Sequence, residues 1–264
     1  MRPRGFALLI VLWTLVLIAL LVSQINAGGR GETQLAGNLR GAARLEAMAD
    51  GAVNEALFHL LDRSPSGWRP GATVHRLTFA GGSVEVRIGD EAGRVNPSNA
   101  SNPLLQALLR AVGADTGTAE ALAASIVEWR TPYGQADLSL ERFDRYRAAG
   151  AAFGPSGAPF VSFDELGAVY GMTPDLLARL VPHLTLYTDN DPDPTTADAA
   201  VLAALTALNG GRQPSPGAGN EQLRVVSITA SASGAAGTRF TRHAIARLID
   251  GEQQDSRIVT WDTR

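Results

Sequence analysis

The sequence predicts an α+β fold: a long N-terminal helix packed on an antiparallel sheet, with a large all-α domain inserted between strands. Three observations predict it. First, an almost unbroken apolar run fills residues 6–22, and helical periodicity resumes beyond it across 45–60. Second, period-two strand patterns stand on both sides of the chain's middle, at 74–88 and at 223–261. Third, the stretch between them holds six segments with apolar faces at helical spacing. Strands, then helices, then strands again are the signature of one domain placed inside another.

The elements follow in order. Arg2, Arg4 and Gly5 precede the apolar run, which holds no charge. At a rise of about 1.5 Å per residue such a run just reaches across a hydrocarbon core. Its one polar residue, Thr14, can bond back to its own helix. Ala27-Gly28-Gly29-Arg30-Gly31 then weakens the helix, because glycine gives up more backbone freedom there than any other residue. Beyond it Leu45, Ala49, Ala52, Val53, Ala56 and Leu60 share one face, while Arg44, Asp50, Asn54 and Asp62 point elsewhere. Ser64-Pro65-Ser66-Gly67 ends the helix. Two strands follow at 74–80 and 83–88, with Gly81-Gly82 as the turn signal between them.

The middle reads as helices at 103–112, 118–129, 140–149, 163–170, 174–184 and 197–208. Ser162 precedes the fourth, with Glu165 at the third position of a capping box, and Thr173 precedes Pro174 at the start of the fifth. Residues 212–220 are rich in Pro and Gly and read as a loop. Strands at 223–233 and 238–250 flank a Gly-Ala-Ala-Gly turn, and 256–261 makes the last strand. The expected division is an N-terminal helix at 6–27, an α+β domain from 28–94 and 221–264, and an all-α insert at 95–220.

Composition narrows the chemistry. The 264 residues carry a formal charge of −3. Loss of Met1–Gly5 would leave 21 basic against 26 acidic residues, a charge of −5. An acidic body has no general attraction for nucleic acid. There is no Cys, so no disulfide is used, and no Lys, which removes Schiff-base chemistry, Walker-type phosphate loops and Ser-Lys dyads. The run D-N-D-P-D-P at 189–194 fails as an EF-hand, since Pro194 and Ala200 stand where a Gly and a bidentate Glu are needed. A calcium site of another kind at Asp189, Asp191 or Asp193 stays open beside the reading of a solvated acidic turn. Asp137, Glu141 and Asp144 form a second loose acidic group with the same two readings. His59, His75, His183 and His243 have no metal-ligand spacing, and Ser156 is not in a nucleophile elbow. Trp68, Trp129 and Trp261 read as packing residues. No catalytic constellation emerges, so the chain does not read as an enzyme.

A glycine before the apolar run, in R-G-F, resembles the class III signal of type IV pilins and pseudopilins. A Sec signal would place its small residues after the run, where Ala27, Gly28 and Gly29 are also available. The resemblance implies a leader at 1–5, a cut between Gly5 and Phe6 by prepilin peptidase, and methylation of the new N-terminus. It makes 6–27 first a membrane anchor and then an assembly helix, with Ile10, Trp13 and Leu17 on it, and the fold pilin-like. Most such proteins carry Glu at mature position five. Here that position is Ile10, as in the K class of minor pseudopilins of type II secretion.

Further blocks resemble that family in order and spacing: D-E-A-G-R-V-N-P-S-N-A at 90–100, the run at 122–132 ending V-E-W-R-T-P, and 160–188 with its sequel P-T-T-A-D-A-A-V-L-A-A-L. The terminal strands ending V-T-W fit as well. Where relatives are more acidic after the tryptophan, this chain reads R-T-P-Y-G-Q-A-D, which departs from any calcium site they hold there. The resemblance implies a tip subunit of the pseudopilus that helps start fibre assembly and export across the outer membrane. Its partners would be I- and J-class minor pseudopilins and the major pseudopilin, with the outer-membrane channel or secreted cargo as further contacts. It implies a single pass through the inner membrane and a body in the periplasm. The arginines on the two sides of the anchor nearly balance and do not fix that orientation alone. A second reading is a membrane-anchored DNA-binding protein, because V-Y-G-M-T-P-D-L-L-A-R-L resembles a helix-hairpin-helix. That grip needs cations near its glycine turn, and Asp164, Glu165 and Asp175 crowd the only one, Arg179.

Overall fold

A computed structural model describes residues 4–132, 138–151, 154–214, 223–234, 237–249 and 255–263, with backbone alone at 4–7, 23–33, 138–142, 223 and 255. Helix α1 spans Arg4–Leu61, 58 residues in one run and about 87 Å at the usual rise. The expected weak point at 27–31 is helical like its flanks. Glycine costs about 1 kcal/mol per position against Ala, and a helix already nucleated on both sides propagates through such a cost. The face expected to be apolar is the buried one: Leu45, Ala49, Ala52, Val53, Ala56 and Leu60, joined by Met48 and Leu57.

That face lies on a five-stranded sheet, ordered β1-β2-β3-β4-β5 and antiparallel throughout. The strands are β1 (Gly71–Phe79), β2 (Gly82–Asp90), β3 (Leu223–Ser233), β4 (Arg239–Ile249) and β5 (Asp255–Thr263). Phe79 pairs with Gly82, so the β1–β2 turn is Ala80-Gly81, where Gly81 takes a φ of 103° that an L side chain resists. Alternation sends Val84, Val86 and Ile88 of β2, Val226, Ile228, Ala230 and Ala232 of β3, and Ala244, Ala246 and Leu248 of β4 to α1. Between β2 and β3 the described elements are helical: α2 (Asn102–Ala111), α3 (Thr116–Arg130), α4 (Leu138–Ala148), α5 (Asp164–Gly167), α6 (Pro174–Leu180), a 3-10 turn at Val181–His183, and α7 (Ala199–Leu208). They enclose a second apolar cluster around Leu105, Leu108, Leu122, Ile126, Leu166, Leu180 and Val201. A parallel bridge between Val95 and Leu184 ties its first and later segments together.

Two helices differ from expectation. The segment expected at 163–170 shrinks to the four residues of α5, and Ser162 does not cap it. The Glu165 carboxylate reaches back to accept the Val161 N–H at 3.1 Å. Ala168, Val169 and Met172 then bond three residues back, a tighter turn than α-helix, and the Tyr146 hydroxyl accepts the Tyr170 N–H at 3.0 Å. The segment expected at 174–184 leaves α-helical geometry at Val181, where Pro182 supplies no N–H. Its cap stands as expected, with Thr173 Oγ1 accepting from Leu176 N.

Candidate functional site

The distinctive feature is a helix with two differently furnished halves. Every described side chain from 8 to 22 is exposed. Ile10 is 48% exposed, Trp13 66% and Leu17 57%, one face at i, i+3 and i+7 with no partner among the described residues. Thr14 Oγ1 donates to Val11 O at 2.9 Å, so the only hydroxyl in the run is satisfied within the helix. Gly5 and Phe6 lie in the first turns of α1, and their surroundings fall outside the described side chains. Among the described residues no helix is long and apolar enough to cross a membrane.

The other half of α1 is mounted on the sheet by more than apolar contact. Arg242 of β4, 5% exposed, reaches across to α1. Its Nε donates to Asp50 Oδ1 at 2.7 Å and its Nη2 to Glu46 Oε1 at 2.8 Å. Its Nη1 donates to Thr263 Oγ1 of β5 at 2.9 Å. Phe240 and Trp261 cover the guanidinium at 5.0 and 5.3 Å. The bond to Asp50, with the Glu46 bond behind it, outweighs desolvation and holds the guanidinium above its ordinary pKa. Arg44 adds a hydrogen bond to Ala80 O at the β1–β2 turn. The sequence pattern does not reveal this clamp: Glu46 and Asp50 are one turn apart, but their cation lies nearly two hundred residues later.

The described acidic candidates engage neighbouring groups or face solvent. Asp189 and Asp191 are exposed. The Asp189 carbonyl accepts from Asn99 Nδ2 at 2.7 Å, and Asp193 Oδ1 accepts from Thr195 N at 2.8 Å. Asp144 pairs with Arg147 at 3.2 Å. Asp137 lies outside the described residues, as does the side chain of Glu141. Among the described residues no group of three or more His, Asp or Glu is gathered as a metal would require.

The helical hairpin that resembles a DNA grip has its polar groups engaged internally. Gly171 takes a φ of 87° at the turn. Arg179 Nη1 donates to Val112 O at 2.9 Å, so it holds the end of α2. The Tyr170 N–H, which a phosphate would need, is taken by Tyr146. Trp129 is 4% exposed and packs near Tyr146 and Phe160. Trp68 lies between His59 and His75, and Trp261 covers Arg242, so these three tryptophans pack while Trp13 stays exposed.

The long helix is therefore apolar and exposed at 8–22 and docked on an antiparallel sheet along 45–60. Residues 84–189 match the family model of the type II secretion system, protein K. The structure is similar to a chain in the crystal structure of the GspK-GspI-GspJ complex from the type 2 secretion system of enterotoxigenic Escherichia coli. The TM-score is 0.59 at 17% identity, covering 89% of this chain and 98% of that one. No curated protein matches the sequence. The matched segment, 84–189, includes the three blocks at 90–100, 122–132 and 160–188 whose motifs resemble the K class.

Proposed function

We propose that the chain is a tip subunit of the type II pseudopilus, starting fibre assembly and so protein export across the outer membrane. One observation carries the reading: the exposed apolar stretch of α1 at 8–22, which has no partner among the described residues and needs lipid or other helices. Residues 6–27 serve first as a single-pass anchor in the inner membrane, with the body in the periplasm, and then as the assembly helix. Prepilin peptidase removes 1–5 between Gly5 and Phe6, and the new N-terminus is methylated. Its partners are I- and J-class minor pseudopilins, suggested by the GspK-GspI-GspJ complex that shares its fold, together with the major pseudopilin. The sheet unit at 28–94 and 221–264 carries these contacts. The helical unit at 95–220 faces the outer-membrane channel or secreted cargo. Nucleic acid has no part in this reading, and no cofactor is needed. Calcium at Asp189, Asp191 or the group of Asp137 and Asp144 would be an accessory.

Position ten tests the tip assignment. A tip subunit has no subunit above it whose N-terminal amine needs a carboxylate, and Ile10 carries none. Ile10→Glu places an unpaired carboxylate in an apolar environment, which is costly. The expected result is secretion reduced at least about tenfold, given a penalty of a few kcal/mol. Mature Phe6 by mass spectrometry and co-purification with the I- and J-class partners are expected for the wild type. Equal secretion by mutant and wild type would remove the special role of this position. An intact Met1 in cells with active prepilin peptidase would remove the processing step.

A further inference from the structure

The side of the sheet facing away from α1 carries a concentration of positive charge that the assembly reading does not use. Strand register places Arg76 beside Glu85, Glu85 beside Ser231 and Ser231 beside Thr241 in one row. Ser83, Ser233 and Arg239 form the adjacent row, and Arg87 heads the row through Thr229 and His243. The three arginines surround an open hollow of about 410 Å³, floored by Ser83, Ser231 and Ser233. All three are exposed. Only one is satisfied: Arg76 Nη2 meets Glu85 Oε1 at 2.5 Å. Arg87 and Arg239 have neither hydrogen bond nor ion pair among the described residues, and they face the same carboxylate electrostatically. Glu85 lies below its usual pKa, held there first by the Arg76 hydrogen bond and then by the charges of Arg76, Arg87 and Arg239.

We propose that this face binds an acidic, extended polypeptide segment of a partner protein, with Arg76, Arg87 and Arg239 taking its carboxylates. The chain as a whole is acidic, with a formal charge of −3, so a patch with two uncompensated guanidiniums runs against its general charge. Guanidinium forks match carboxylates bidentately. The spread of the charges selects the size of the ligand. Arg76 is on β1 and Arg239 on β4, three interstrand spacings or about 14 Å apart at the backbone. A single small anion meets one or two of these groups. An extended chain rises about 3.3 Å per residue, so carboxylates on alternate residues of a short segment meet all three. Serine and threonine hydroxyls between the arginines suit the peptide groups of such a segment. Glu85, in the middle of the patch, disfavours a ligand as densely anionic as a nucleic-acid backbone.

The proposal goes beyond the assembly reading and is independent of it, since α1 occupies the opposite face. The test uses the full chain in detergent micelles and a fluorescent peptide of alternating Asp and Ser, read by anisotropy. The wild type should bind this peptide with an affinity that falls with salt, and should ignore the matching Asn-Ser peptide. Arg87→Gln and Arg239→Gln should each weaken binding roughly threefold, and the double variant about tenfold, as expected for exposed ion pairs. Arg110→Gln, on α2 outside this face, should leave it unchanged. Glu85→Gln frees Arg76 and should tighten binding, a gain that misfolding does not mimic. Equal binding by the double variant, or equal binding of the Asn-Ser peptide, overturns the proposal. Displacement of the peptide by millimolar inorganic phosphate would replace the polypeptide with a small anion. Tighter binding of a single-stranded oligonucleotide than of the peptide would replace it with nucleic acid.

Discussion

Arg242 and His75 show how single residues hold the body in shape. Arg242 is buried, while its partners Glu46 and Asp50 are half-exposed, so removing the cation leaves carboxylates that water partly rescues. Arg242→Ala should therefore cost about 2 kcal/mol, between the values for surface and buried pairs. Arg242→Lys should recover only part of this, because a single ammonium does not span Asp50, Glu46 and Thr263 together. Thermal melts of the full chain in detergent check both; equal stability of the Ala variant and wild type would mean the clamp contributes nothing. His75 predicts a pH dependence. Its ring stacks on Trp68 at 3.8 Å between centroids, and its Nε2 is enclosed with no hydrogen-bond partner among the described residues. Burial first, then the charge of His59, pushes its pKa below the usual 6.5. Above 6.5 the ring is neutral in both folded and unfolded chains, and its contribution is whole. Below that value the unfolded chain takes up the proton first, so stability is lost as pH falls toward the depressed folded pKa. The melting temperature should drop between about pH 7 and pH 5 and drop less in His75→Phe. The same slope in both proteins would assign the effect to other groups.

At the scale of elements, periodicity carried the reading where packing is one-sided. Strand β2 and the docked half of α1 bury one face and leave the other more open, so the alternation is written in the residues. The same holds for α2, α3 and α7. It fails at 163–170, where the apolar spacing is helical but a distant group decides the outcome. Tyr146 of α4 accepts the Tyr170 N–H, and the chain turns instead of continuing as helix. The Arg242 clamp and the arginine face are hidden for a related reason: register between distant strands assembles them, and no local pattern records it. The Tyr146 bond gives a direct test. Tyr146 is 1% exposed, so Tyr146→Phe keeps the ring packing and leaves the Tyr170 N–H without its acceptor. A loss of about 1 kcal/mol is expected, with faster amide exchange at Tyr170. Unchanged exchange there would show that the turn holds without the hydroxyl.

Across the whole molecule, two apolar clusters are built from different stretches of chain. One joins α1 to β2, β3 and β4. The other is confined to residues between Val95 and Ala204. In a tip subunit this separation would let the helical unit engage a channel or cargo while the clamp at Arg242 keeps α1 aligned for assembly. If the clusters are separate cooperative units, a cavity in one leaves the other's unfolding in place. Leu108 and Ile228 are each fully buried in their own clusters. Leu108→Ala should cost about 3 kcal/mol and Ile228→Ala a similar amount. In thermal melts of the full chain, Leu108→Ala should lower one transition and Ile228→Ala the other. At a temperature between the two, Leu108→Ala should still co-purify with the proposed I- and J-class partners, because α1 and its mount remain folded. Ile228→Ala should lose them first. A single transition moved equally by both variants would make the molecule one cooperative unit, and α1 would then lose its alignment whenever the helical unit opens.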